Sequence, residues 1–159
     1  MNLGLRLDYS NSNSEWVALD AFNKGFFSSK YNPEESYQSD KTKGYLYLSP
    51  RLGISHPITV NSKLFFNYGH FRQLPTYEQL YRLSRGASQQ VVFYGDPNLS
   101  PATTISYELG FDQALLDRFL IQLAAFYNDV KDQQSFATYI SADGTMVYDR
   151  TNSNSYEDI

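Results

Sequence analysis

The sequence predicts an all-β chain laid out as an open, curved antiparallel meander of about six strands. Three observations predict it. The first is strict alternation. Ile105, Tyr107, Leu109 and Phe111 interleave with Thr104, Ser106, Glu108, Gly110 and Asp112, which gives one apolar and one polar face at a period of two. The second is the rhythm of the connections, which run long, short, long, short and long again. The third is composition. Aromatic residues make up 16% of the chain, Tyr outnumbers Phe, and the mean hydropathy is −0.47. A strand facing oil needs only every second residue apolar, so a Tyr-rich chain of negative hydropathy suits a barrel wall better than a bundle of membrane helices.

In chain order, Leu3, Leu5, Leu7 and Tyr9 alternate with Asn2, Gly4, Arg6 and Asp8 in a first strand. From Ser10 to Lys43 the alternation disappears. That span is a long loop, of the kind that is functional or disordered. A second strand runs from Tyr45 to about His56. Leu46, Leu48, Pro50, Leu52 and Ile54 share one face, and Tyr45, Tyr47, Ser49, Arg51, Gly53 and Ser55 the other. Pro50 has no N–H and predicts a bulge or a lost ladder bond. The short link Pro57–Ser62, with His56 marking the turn, leads to a third strand, in which Leu64, Phe66 and Tyr68 oppose Phe65, Asn67 and Gly69; His70 marks its end. The second long loop, Phe71–Pro101, offers Thr76 as an N-cap with Leu80 one turn below, which predicts a short helix. Its last residues, Gly95 to Pro101, form a rigid lead-in to the fourth strand, because Pro97 and Pro101 cannot donate to a ladder and Gly95 and Asn98 are turn formers. The tight link Leu115–Arg118 precedes a fifth strand. There Phe119, Ile121, Leu123, Ala125 and Tyr127 face one way, and Leu120, Gln122, Ala124, Phe126 and Asn128 the other. Ser135–Ile140 and Thr145–Thr151 read as a hairpin closed at Asp143-Gly144. The chain ends at Ile159 in a returning strand.

Bulk properties narrow the class. Net charge is −4 and the pI about 5.1, which disfavours a nucleic-acid binder. There is no cysteine, hence neither a disulfide frame nor a thiolate metal site. No run approaches the roughly 20 apolar residues of a spanning helix. The first residues lack a basic segment followed by an apolar one and so form no signal peptide. No Gly-x-Ser-x-Gly elbow or Ser-His pairing points to a nucleophile, so the reading is not an enzyme, and no cofactor is implied. Tight turns at one end and extended loops at the other belong to outer-membrane barrels. The alternative is a soluble β-rich ligand-binding module whose apolar strand faces pack on one another.

Ser49-Pro50-Arg51-Leu52-Gly53, then Asn67 to Thr76 with Leu80-Tyr81, then Gly95 to Pro101 with Ile105-Ser106-Tyr107-Glu108-Leu109-Gly110, resemble the barrel of TonB-dependent outer-membrane receptors in order and approximate spacing. Ala125 to Lys131 is similar to the family's next strand. Asp96 stands where Asn is usual, and Ala102 where Glu or Gln often follows. The resemblance implies that residues 1–159 are part of a barrel of about 22 strands around a plug. The barrel would be incomplete at both ends here, and the plug absent. It implies residence in the outer membrane and uptake of a scarce nutrient of the siderophore, glycan or peptide, or cobalamin class. The implied partners are outer-membrane lipid, the remainder of the barrel, the plug, the TonB system through that plug, and a small solute.

On this reading Arg6, Asp8, Arg51, Asn67, Glu108 and Asp112 face the lumen and are candidates for plug or solute contact, the plainer reading being paired or solvated charges in a polar interior. Trp16, Arg72, Tyr81, Arg82 and Arg85 are loop candidates for solute contact. Trp16, Phe26 and Tyr81 would stack on sugars, and the three arginines would cluster toward an anionic solute or lipopolysaccharide. Tyr9, Tyr45, Tyr47, Tyr68 and Tyr127 are expected in the girdle at the membrane interface. Neither His56 nor His70 has a partner at metal-ligand spacing.

Overall fold

The computed structural model describes residues 1–17, 19–30, 37–116 and 118–154, the last three through their backbone. In chain order the strands are β1 (Asn2–Ser10), β2 (Glu15–Trp16), β3 (Asp40–Lys41), β4 (Tyr45–Thr59), β5 (Ser62–Gln73), β6 (Leu83–Arg85), β7 (Val91–Tyr94), β8 (Ala102–Leu115), β9 (Phe119–Lys131), β10 (Gln133–Ile140) and β11 (Val147–Asn154). Among the described residues one short helix, α1 (Tyr77–Tyr81), lies between β5 and β6. Its capping box joins Thr76 to Gln79, as Thr76 predicts.

Five long strands make one sheet in the order β1-β4-β5-β8-β9, each antiparallel to its neighbours. Residues directly opposite one another share a face. Leu7 is opposite Leu48, Ile54 opposite Phe66, Phe66 opposite Leu109 and Phe111 opposite Leu123. Leu5, Leu48, Phe66, Leu109 and Leu123 therefore point to one side, and Arg6, Arg51, Glu108 and Gln122 to the other, as the alternation requires. Among the described residues no second layer covers the apolar face: Leu3 is 72% exposed, Leu5 70% and Leu123 63%. A surface of that kind marks a missing apolar partner. A soluble module would have packed it.

The ends of the sheet differ. The two tight turns lie together, and Ala114 N–H donates to the Asn61 carbonyl at 2.7 Å across them. At the other end, Ser10 opposite Tyr45 and Gln73 opposite Ala102 lead into the long loops. The first turn is shorter than expected. β4 continues to Thr59 through a register shift between Pro57 and Thr59, so His56 sits opposite Leu64 in the ladder instead of marking the turn. Nor does His70 end its strand, since β5 runs on to Gln73. Pro50 produces no shift. The β4–β5 ladder instead begins at Arg51 opposite Gly69, one residue past the proline, and no pair is formed on the other side of it.

The meander counts five strands, because the final hairpin leaves the sheet. Asp132 takes a positive φ of 55° between β9 and β10. β10 and β11 then join β7 and β6 in a second, four-stranded sheet, β11 running parallel to β7. The hairpin itself is as expected, with Gly144 at φ +72°. The returning strand expected beyond Asn154 lies outside the described residues. This second sheet and residues from the first long loop form a cap whose core is three aromatics, Phe26, Tyr94 and Tyr148, with Val91. Phe26 stacks on Tyr148 at 4.7 Å and meets Tyr94 edge-on at 4.8 Å. The loop is held by side chains that saturate its carbonyls. Tyr94 donates to Val17 at 2.7 Å, Arg150 to Leu19 at 2.7 Å, and the Tyr148 hydroxyl to Ala21. Burial pushes the Tyr148 phenol well above its ordinary range, as expected of a core hydroxyl committed to one carbonyl. Phe26 is 1% exposed and has no face left for a sugar, which corrects its reading as a stacking platform.

Phe26→Ala should cost about 3–5 kcal/mol of cap stability. Limited proteolysis should then cut the 10–43 loop faster while the five-stranded sheet stays resistant.

Candidate functional site

The polar face of the five-stranded sheet gathers most of the charged residues singled out in the sequence. Arg6 Nε donates to Asp8 Oδ1 at 2.8 Å. Arg51, flanked by Gly4 and Gly69 on the neighbouring strands, lies 5.0 Å from the centre of the Phe71 ring. Asn67 Nδ2 donates to Glu108 Oε2 at 2.9 Å. Asp112 is buried between Lys63 Nζ at 3.0 Å and Gln122 Nε2 at 3.3 Å. Lys63 was overlooked in the sequence, although its place in the alternation beside Phe65 and Asn67 puts it on this face. The Arg6–Asp8 pair fixes side-chain positions more than it stabilises, since exposed ion pairs contribute roughly 0–1 kcal/mol.

Large side chains on this face lie flat over small ones. Phe65 is the clearest case. A Cβ added to Gly110, its cross-strand neighbour, would sit 2.0 Å from the Phe65 ring. Next to it a depression of about 340 Å³ is lined by Arg51, Asn67, Phe71, Ser106 and Glu108 over Gly4, Gly53 and Gly69. The result is a smooth wall, with hydrogen-bond donors and acceptors set side by side.

The loop candidates fall in different places. Trp16 packs edge-on against Tyr81 at 5.6 Å and donates its indole N–H to the Gly95 carbonyl at 3.2 Å. The arginines do not form one cluster. Arg72 is a residue of β5, not of the loop; it donates to Thr103 Oγ1 at 2.6 Å and lies 4.4 Å from the Tyr47 ring centre. Arg82 pairs with Glu78 at 2.5 Å and covers Phe93, and Arg85 donates to the Gln89 carbonyl at 2.9 Å. The tyrosines also divide. Tyr68, Tyr107 and Tyr127 are cross-strand neighbours on the apolar face, with ring centres 5.2 and 6.1 Å apart, and Tyr9 is on the same face of β1. Tyr45 and Tyr47 belong to the polar face, stacked at 5.9 Å, and so are not girdle residues. Their place in the alternation, shared with Arg51, already set them there.

A sheet with one oil-facing and one charged face, tight turns at one end and a folded cap at the other, is the wall of a membrane barrel. The family model described as TonB dependent receptor-like, beta-barrel, matches residues 1–156. The chain belongs to this family. Among solved structures, a double mutant of the Serratia marcescens hemophore receptor HasR, in complex with its hemophore HasA and heme, shares the fold with a TM-score of 0.59 at 16% identity. The alignment covers 96% of this chain and 25% of that one, so the chain spans about a quarter of the receptor's length. No curated protein matches the sequence. The TonB-dependent receptor family accounts for both faces, since its barrels are outer-membrane structures with polar interiors.

Gly110→Ala should displace the Phe65 ring and cost about 1–3 kcal/mol, because overpacking a filled site forces its neighbours off their rotamers. Phe65→Ala in the same chain should remove most of that cost, and thermal unfolding of the two single variants and the double variant measures the coupling.

Proposed function

We propose that the receptor containing this chain takes up a scarce nutrient of the siderophore, glycan or peptide, or cobalamin class across the outer membrane, driven through a plug by the TonB system. The observation that carries this reading is the two-faced sheet, uncovered on its apolar side. Its aliphatic face contacts outer-membrane lipid. Arg6, Asp8, Arg51, Asn67, Glu108 and Asp112 face the plug or the passing solute, while Trp16, Arg72, Tyr81, Arg82 and Arg85 stand at the outer mouth. The family match over residues 1–156, with the fold shared with a hemophore receptor, supports a receptor's role for the barrel. Residues 1–159 do not transport alone, because five strands cannot close where about 8 are needed, and an open edge leaves unpaired backbone groups in lipid.

Two measurements test the reading. Leu109→Arg should cost about 2–4 kcal/mol by placing a charge in lipid and should deplete the receptor from the outer membrane, whereas Glu108→Arg, one residue away on the other face, should not. Equal depletion would remove the lipid-facing assignment. Deleting the receptor should abolish growth when one of the three nutrient classes is the limiting source, and deleting the TonB energising protein should do the same. Growth unchanged on all three would refute uptake.

A further inference from the structure

The wall is split at its outer end. Above Arg51 and Gly69 the β4–β5 ladder is absent, yet β4 stays paired to β1 as far as Tyr45, and β5 to β8 as far as Gln73. Two paired ribbons therefore part beyond Pro50. The split holds a recess of about 230 Å³ lined by Arg6, Asp8, Tyr47, Ser49, Arg51 and Arg72. Three guanidinium groups thus meet one carboxylate, and that carboxylate is already taken by Arg6 at 2.7 Å. Arg51 and Arg72 have no carboxylate partner among the described residues. Each rests on a ring face instead, Arg51 on Phe71 and Arg72 across the split on Tyr47. The Tyr47 hydroxyl and Arg72 Nε are shut off from solvent with no hydrogen-bond partner.

From this geometry we propose that the recess receives an anionic oxygen group of the solute, of the carboxylate, catecholate or phosphate type. A guanidinium stacked on a ring is held in plane and can offer its edge to a two-oxygen anion. Buried donors without partners cost free energy that such an anion recovers. A neutral sugar would leave both cations uncompensated in a partly closed recess. The larger depression beside it carries Glu108 held by Asn67, so the favourable position for negative charge is the outer one. The proposal rests on the reading that solute passes this face, and it narrows the nutrient to one that carries such a group.

The test uses the full receptor in detergent, with citrate, 2,3-dihydroxybenzoate and inorganic phosphate as separate probes and maltotriose as the neutral one, followed by titration calorimetry at low and raised salt. At least one anion should bind, more weakly as salt rises. Arg51→Ala and Arg72→Ala should each weaken binding about tenfold or more, the loss expected for a charge-assisted contact. Arg51→Lys should retain part of the affinity, and Asp8→Asn should not weaken it. If Arg72→Ala does not reach the folded, heat-modifiable form, Arg72→Gln and the Arg51 pair carry the test. Binding of none of the three anions, or binding that both arginine substitutions leave unchanged, overturns the proposal. The growth assay separates the two readings. A receptor that supports growth but binds no anion refutes the recess alone, whereas anion binding lost with Arg51 upholds the recess even where no growth phenotype is found.

Discussion

Phe66 opposite Leu109 and, one residue along, Asn67 opposite Glu108 fix a single register between the two central strands. A slip of one residue would carry Glu108 to the oily side and Leu109 to the polar one, and every pair in that ladder would invert with them. The backbone has no freedom to compromise, because unpaired N–H and C=O groups in hydrocarbon cost several kcal/mol each. The faces, the packing of Phe65 on Gly110 and the ion pair of Lys63 with Asp112 all follow from that register.

At the outer end the constraint changes from register to anchoring, and Gly95–Pro101 provides the anchor. Asp96 N–H donates to the Gln79 carbonyl at 3.1 Å, and its carboxylate meets Arg150 at 3.4 Å. Asn98 accepts from Lys43 N–H at 2.9 Å through its side chain and from the Tyr45 hydroxyl at 2.6 Å through its carbonyl. Gln134 donates to the Ser100 carbonyl at 2.8 Å. The turn therefore joins α1, the first loop, β4, β10 and β11. Its prolines keep it stiff, and its free carbonyls and short polar side chains make the junctions.

The five sheet strands were legible because each buries one face in a single kind of environment, and a period of two needs no knowledge of the partner. The Thr76 cap and the Asp143-Gly144 turn were legible for the same reason: their physics is local. The cap was not. The parallel pairing of Asp149 with Phe93 joins segments far apart in sequence, and Tyr148 becomes core only when Phe26 is brought to it. Loop aromatics such as Phe26 look alike whether they face solvent or one another until that pairing is known. Tyr45 and Tyr47 are a different case. Their face was set by the alternation, and their nearness to a strand end suggested the wrong role. Pro50 was half-legible: the missing N–H forecast a lost ladder bond, but not that the parting would hold Arg72.

The parallel β7–β11 pair also dictates an order of events. β4 and β5 are joined by two residues, and β8 and β9 by a similarly tight turn, so each hairpin can zip from its own turn as soon as it is made. The outer sheet is made of two such hairpins, β6–β7 and β10–β11, but the junction between them has no local nucleus. It waits for residues near 150 to return to those near 93, and loop-closure entropy makes such distant pairings slow. The four outer strands can therefore pair two by two early, and the cap sets only when the two hairpins meet.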